Sequence, residues 1–284
     1  MHSARYDLAF SLGYDCNASL ALRRAGLQFY SYPFDWLTRA ALAARADLLA
    51  RRFEGWLDSP GGLDDLGPVP FERFAPRHRV VVDRASGLEF RHDFPLALPV
   101  ADALPEVAAK YRRRADRLLE SIGRADRVLA VFAVGFRRPD LAMEELVAAR
   151  RVLAAAFGDK VDVLGLADDA PGGPDRPPAA EEAEGGRVRR VSLRCLSETP
   201  QGIEVSDRAL AEFLRAQVEV PDPRTPGEKR AHRELVRRRE YAKYAARTRL
   251  GMFWNKLQYR RWRALSKALQ RKGILPPNEP GAPR

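Results

Sequence analysis

Cysteine is nearly absent from this chain of 284 residues, which carries it only at Cys16 and Cys195. Two thiols cannot build a disulfide framework, and so low a count fits a reducing compartment. Histidine is almost as scarce, at His2, His78, His92 and His232, and no His/Cys pair has the spacing of a metal site. No Gly-x-Gly-x-x-Gly or Walker pattern occurs, so nothing announces a nucleotide cofactor. Neither a metal nor a cofactor is expected. No run approaches the roughly 18 apolar residues that cross a bilayer. Met1 to Asp7 lacks the apolar core of a secretory signal, which points to the cytoplasm.

What is present is basic charge, unevenly placed. From Arg224 to Arg284 there are 18 Lys and Arg against 4 Asp and Glu, whereas the rest of the chain carries 31 against 34. The basicity belongs to a tail, so the overall net charge of +11 does not describe a nucleic-acid-binding globule. We read an α/β domain over residues 1–220 and a basic helical tail over 221–284.

Apolar periodicity organises the first part. Leu8-Ala9-Phe10 reads as a strand that stops at Gly13. Asn17 to Ala25 reads as a helix stopped by Gly26. Leu37 to Trp56 reads as a second helix, with Leu42, Leu48, Leu49 and Phe53 on one stripe. His78–Asp83 and Leu88–His92 form a hairpin around Arg84-Ala85-Ser86-Gly87. Pro105 to Ile122 reads as a charged helix ending at Gly123.

Arg127 to Val134 is a continuous apolar strand, the pattern of a sheet covered on both faces. Asp140 to Phe157 reads as a helix with Asp140 as N-cap and Gly158 as stop. Val161–Leu166 and Val188–Leu193 read as strands and Ala170–Gly186 as an exposed loop. Ser206 caps a last helix to Gln217. This alternation predicts a three-layer α/β sandwich with a mainly parallel sheet and a β-hairpin insertion.

The tail adds a basic amphipathic helix. Leu250, Phe253, Trp254, Leu257, Trp262, Leu265 and Leu269 share one broad face, while Lys256, Arg260, Arg263 and Lys267 lie off it. Over residues 226–272 this pattern suits an anionic membrane surface, so peripheral attachment at the inner membrane face is one expectation. Docking on the body or on a second subunit of a homo-oligomer is the other. No nucleic-acid-binding module is visible.

The residues with chemistry gather near the start. Cys16 falls on the first turn of a helix, where unpaired backbone N–H groups and the helix dipole favour thiolate over thiol. The alternative is a small buried residue closing a strand–helix turn, and the neighbouring Asp15 carboxylate opposes thiolate formation. Asp35 follows in the turn Pro33-Phe34-Asp35-Trp36. It can orient an imidazole or cap a helix beginning near Leu37. Asp93 neighbours His92, but adjacent strand residues point to opposite faces. Arg112, Arg113, Arg114 and Arg117 occupy one helix, where the residues alone read as a solvated face paired with Asp116 and Glu120.

Ser11-Leu12-Gly13-Tyr14-Asp15-Cys16, Leu22-Arg23-Arg24-Ala25-Gly26-Leu27, Ser31-Tyr32-Pro33-Phe34-Asp35-Trp36, Arg91-His92-Asp93-Phe94 and Lys110-Tyr111-Arg112-Arg113-Arg114 together resemble a bacterial family labelled putative papain-like cysteine peptidase. The resemblance implies Cys16 as nucleophile and His92 as its base; of the carboxylates nearby, Asp35 is the better placed to orient the imidazole, and Asp93 serves only if the strand ends at His92. Tyr14, Asn17, Trp36, Arg112 and Arg113 are then expected to line the substrate site, and the resemblance makes at least one of Arg112, Arg113, Arg114 and Arg117 a candidate anion holder. The sequence departs from papain itself. The Cys-Gly-Ser-Cys-Trp pattern is missing, and no asparagine follows His92 at a useful place. The strand–helix alternation after Arg127 also differs from a papain-like antiparallel sheet. The leading expectation is therefore a cysteine-dependent hydrolase or acyl transferase using Cys16 and His92. The alternatives are a transferase acting on phosphorylated glycan precursors at the inner membrane face and a non-enzymatic membrane adaptor.

Overall fold

The apolar runs resolve into two principal sheets. A computed structural model describes residues 4–14, 16–69, 77–134, 141–168, 179–193 and 210–245, together with 268, 271 and 272. The chain divides into two compact units, Met1–Gln28 with Tyr32–Pro221, and Phe29–Ser31 with Asp222–Arg284. In chain order the first unit contains β1 (Ala4–Arg5), β2 (Leu8–Gly13), α1 (Asn17–Ala25), β3 (Leu37–Arg39), α2 (Leu42–Ala50) and β4 (Leu63–Pro68). It continues with β5 (His78–Asp83), β6 (Leu88–Pro95), α3 (Val100–Arg124), β7 (Val128–Ala133), α4 (Met143–Phe157) and β8 (Val161–Asp168). β9 (Ala179–Ala183), β10 (Val188–Leu193), helical residues 210–217 (α5) and β11 (Val218–Glu219) complete it.

The larger sheet has the order β2-β7-β8-β10-β9, with the first four strands parallel and β9 antiparallel at the edge. Every residue of β2 and β7 is buried, so both faces of these strands are covered. That is the environment the unbroken apolar run at 127–134 called for. On β8, a Cβ at Gly165 would meet Leu146 Cδ1 at 2.5 Å and Leu141 Cδ2 at 2.8 Å. Glycine here lets α4 approach the sheet closely. α1 ends as expected at Gly26, whose φ of 76° only glycine adopts without strain.

The second sheet is antiparallel, in the order β3-β6-β5-β4. Its centre is the expected hairpin, with Asp83 accepting the Ser86 N–H at 2.9 Å inside the turn. β3 and β4 enlarge it beyond an inserted hairpin. The helix expected over Leu37–Trp56 is thereby corrected. Leu37, Thr38 and Arg39 pair with Phe90, Glu89 and Leu88, and helix begins only at Leu42. Arg39 and Ala40 both have φ of 57°, which stops right-handed helix from extending backward.

Three further boundaries differ. α3 begins at Val100, with Pro105 inside its second turn. There the proline forfeits one backbone hydrogen bond. α4 begins at Met143 behind Ala142. The expected cap, Asp140, lies outside the described residues. Within the stretch read as a loop, Ala179–Ala183 forms β9 along β10, where alanine and glutamate serve as well as any residue on an exposed edge. Ser206, Cys195 and the amphipathic face from Leu250 to Leu269 also lie outside the described residues.

In the second unit, α6 (Pro226–Ala245) opens with a reciprocal cap. The Glu228 N–H donates to Thr225 Oγ1 at 3.2 Å and the Thr225 N–H to Glu228 Oε2 at 2.9 Å. Asp222 takes Arg224 in a paired contact, and Arg224 also lies 4.9 Å over the Phe29 ring. Among the described residues, no helix is long and apolar enough to cross a membrane.

The N-terminal end of the parallel sheet is pinned by a buried phenol. Tyr6 donates to Asp162 Oδ2 at 3.0 Å, and Arg127 both pairs with Asp162 at 2.9 Å and lies 4.6 Å over the Tyr6 ring. Burial, and then the Asp162 charge, push the Tyr6 hydroxyl up to about 12. A pKa raised on folding contributes stability below the unfolded value, near 10 for tyrosine, and the contribution is lost as pH rises through the folded value. We expect Tyr6→Phe to lose about 1 kcal/mol in urea unfolding at pH 8. Its deficit relative to wild type should shrink between pH 10 and 12, and a deficit constant over that range would refute the assignment.

Candidate functional site

The turn from β2 into α1 is the most constrained backbone near the sequence motifs. Gly13 and Tyr14 both have positive φ, 86° and 113°. For tyrosine this conformation is costly and persists only where surrounding structure imposes it. Tyr14 forms a parallel bridge with Thr38 and meets the Phe132 ring edge-on at 6.2 Å. Cys16 follows as the N-terminal cap residue of α1, half-buried and not disulfide-bonded. Its carbonyl accepts the Leu20 N–H at 2.9 Å. Asn17 is the first helical residue and is half-buried. Asp15 lies outside the described residues.

Beneath this turn is Arg45, a fully buried arginine on α2. Its guanidinium donates to the carbonyls of Leu12 at 2.9 Å, Leu37 at 3.1 Å and Arg39, and lies 5.8 Å over the Phe34 ring. A Cβ on Gly13 would collide with Arg45 Nη1, so the glycine is needed for space as well as for its φ. Arg45 thus joins the end of β2 to both ends of β3.

Asp35 is buried at the third position of the 3-10 turn Pro33–Trp36. Its carboxylate takes Arg23 at 3.1 Å, the Gln28 amide at 2.9 Å and the Tyr32 N–H at 3.0 Å. It ties this turn to α1 and closes a capping box with Tyr32. Ser19 donates to the Asp35 carbonyl at 2.9 Å and lies 3.1 Å from the Cys16 carbonyl. No helix begins near Leu37 for Asp35 to cap. Trp36 is half-buried beside it.

β6 carries the other candidates. His92 is exposed, with its ring edge-on to His78 at 6.3 Å between centroids. Asp93 is buried instead, accepting from Lys110 Nζ and, at 2.8 Å, from the Tyr111 hydroxyl. Successive strand residues face opposite ways, and the strand continues to Pro95, so Asp93 turns away from His92. Burial alone would raise the Asp93 carboxyl, but the Lys110 and Arg114 charges with the two hydrogen bonds outweigh it and hold the group below the usual range. Burial and the Asp93 charge push the Tyr111 phenol well above its ordinary value. Arg112 and Arg113 are exposed on the outer face of α3, whereas Arg114 is buried on the inner one.

The motifs Arg91–Phe94 and Lys110–Arg114 therefore do meet, but through Asp93, Lys110, Tyr111 and Arg114. Sequence reasoning missed Arg45 and did not single out Arg114. One signal marked both. Arg45 falls at helical spacing between Leu42 and Leu49, and Arg114 between Tyr111 and Leu118, inside otherwise apolar stripes. Among the described residues, no group of three His, Cys, Asp or Glu could hold a metal ion.

Fold and site together define an α/β protein with a half-buried thiol at the carboxyl end of a parallel strand, where open α/β sheets bind ligands. A family model matches residues 7–156, more than half of the chain, and the chain belongs to that family, described as putative papain-like cysteine peptidase. Neither the curated proteins nor the solved structures contain a match.

Removing the Arg45 guanidinium strands several inward-facing carbonyls at once, each worth about 1–3 kcal/mol when unsatisfied. Arg45→Met should cost about 3 kcal/mol or more in urea unfolding, against less than about 0.5 kcal/mol for the exposed Arg112→Ala. Equal effects of the two would show that the carbonyl contacts carry no stability.

Proposed function

We propose that this protein is a cysteine-dependent hydrolase or acyl transferase with Cys16 as nucleophile. The observation that carries the reading is the position of Cys16, at the N-cap of α1 and two residues after the strained Tyr14. Membership of a family described as cysteine peptidases supports it. A helix N-terminus favours the thiolate, the form that attacks.

In this reading the Cys16 sulfur forms a bond to a carbonyl carbon, and the carbonyl oxygen takes up the negative charge. Backbone N–H groups where the chain enters α1, near Tyr14 to Asn17, stabilise that oxyanion. Collapse of the adduct breaks the bond to the leaving group, which takes its proton from His92. Water or an acceptor nucleophile then gives a proton to His92, attacks the thioester and releases the thiolate. Asp35 and Asp93 act at a distance, by holding the framework of α1 and of β6. Tyr14 and Trp36 flank the reacting carbonyl.

The test is the pH dependence of iodoacetamide labelling, followed at each cysteine by peptide mass. Cys16 should label at a lower pH than Cys195, and the difference should shrink in His92→Ala. Cys16→Ser should abolish acyl transfer from a thioester or p-nitrophenyl ester. Labelling of Cys16 no faster than that of Cys195 at neutral pH would overturn the nucleophile, and an unchanged profile in His92→Ala would remove His92 from the pair.

A further inference from the structure

We propose that the inner face of α3 is a binding site for a small oxyanion, the carboxylate or phosphate group of a ligand, held by Arg114. This does not depend on what Cys16 does.

Arg114 is 4 % exposed, yet its Nη1 has no hydrogen-bond partner among the described residues. A guanidinium carries five N–H donors, and an unmet donor on a buried charged group is among the costlier defects a fold can hold. The guanidinium carbon stands 5.0 Å over the Tyr111 ring. Against the same ring, edge-on at 5.2 Å, lies Trp56, whose indole Nε1 is likewise buried and unmatched among the described residues. Two side chains with unmet donors therefore pack against one ring.

Charge identifies what they await. Asp93, the carboxylate of this cluster, already accepts from Lys110 and Tyr111, so one negative charge faces the two positive charges of Lys110 and Arg114. Asp35, also felt at Tyr111, is engaged by Arg23, Gln28 and the Tyr32 N–H. Among the described residues the cluster thus carries one uncompensated positive charge, in a largely water-free setting. A water molecule satisfies donors but leaves that charge in place, whereas an oxyanion satisfies both. The forked guanidinium matches a carboxylate or phosphate edge, and two nearby cations disfavour a cationic ligand. Lys110, whose side chain keeps 19 % exposure, marks where the cluster reaches solvent.

The full chain is titrated with inorganic phosphate and, separately, with acetate, at ionic strength held constant with sodium chloride. Two readouts are followed, the melting temperature and the side-chain 15N resonance of Arg114. Either anion should raise the melting temperature saturably and move the Arg114 resonance. A response to phosphate alone assigns a phosphorylated ligand, and a response to acetate alone a carboxylate. Arg114→Gln should weaken that anion at least tenfold, while Arg113→Gln, on the exposed face, should leave it unchanged. If both anions leave the resonance and the melting temperature where chloride leaves them, the donors hold only water and the proposal fails. It fails equally if Arg113→Gln weakens binding as much as Arg114→Gln. Should Arg114→Gln not fold, the wild-type resonance decides.

Discussion

A buried cation satisfied by peptide carbonyls holds the region around Cys16 together. Arg45 reaches into the junction of the two sheets and gathers the carbonyls of Leu12, Leu37 and Arg39. A charge removed from water must recover most of its solvation from fixed dipoles. Here those dipoles belong to two strands that run into different sheets. The requirement travels outward: position 13 must be glycine, Tyr14 is forced to positive φ, and the helix expected over 37–56 gives way to a strand whose carbonyls point at Arg45. The strain at Tyr14 and the solvation of Arg45 are two sides of one arrangement.

A second buried polar centre, Asp93 with Lys110, Tyr111 and Arg114, fastens α3 to the antiparallel sheet. Around it the rings of Phe34, Phe53, Trp56, Phe90 and Phe94 form a connected chain, neighbouring centroids lying between 5.4 and 6.0 Å apart. Aromatic walls lower the local dielectric and strengthen every charge interaction they enclose. The low Asp93 carboxyl and the raised Tyr111 phenol both follow from this setting. Of the residues in the segments singled out in the sequence, Asp35, Asp93, Lys110 and Tyr111 fasten one element to another, while Cys16 and His92 retain accessible surface.

The parts of this fold that were legible in the sequence are those whose environment is uniform along the element. β7, buried on both faces, declared itself as an unbroken apolar run, and α1 was delimited by Gly26. β3 was not legible because three residues cannot establish a period, and its pairing with Phe90, Glu89 and Leu88 is set fifty residues away. β9 was read as loop because its Ala-Ala-Glu-Glu-Ala sequence has no strand propensity, and only the ladder to β10 makes it one. In the candidate site, two of the motifs mark segments that pack together, β6 and α3. They could not say which member of each pair faces inward, Asp93 or His92, Arg114 or Arg113, since that depends on register. Arg45 was hidden by chemistry, because an arginine on an apolar stripe ordinarily counts as an interruption.

The strand that presents Cys16 is made well before its partner in the sheet, β7, where Val128 stands opposite Leu8. β2 lies at one edge of its sheet, where the strand it pairs with, β7, comes later in the chain. While the chain emerges from the N-terminus onward, the turn before Cys16 has no ladder to hold it and Arg45 has no completed cradle. Closing a loop of that length is slow compared with forming a local helix. Until β7 has been made, Cys16 sits on a nascent helix with neither the ladder nor the completed Arg45 cradle behind it.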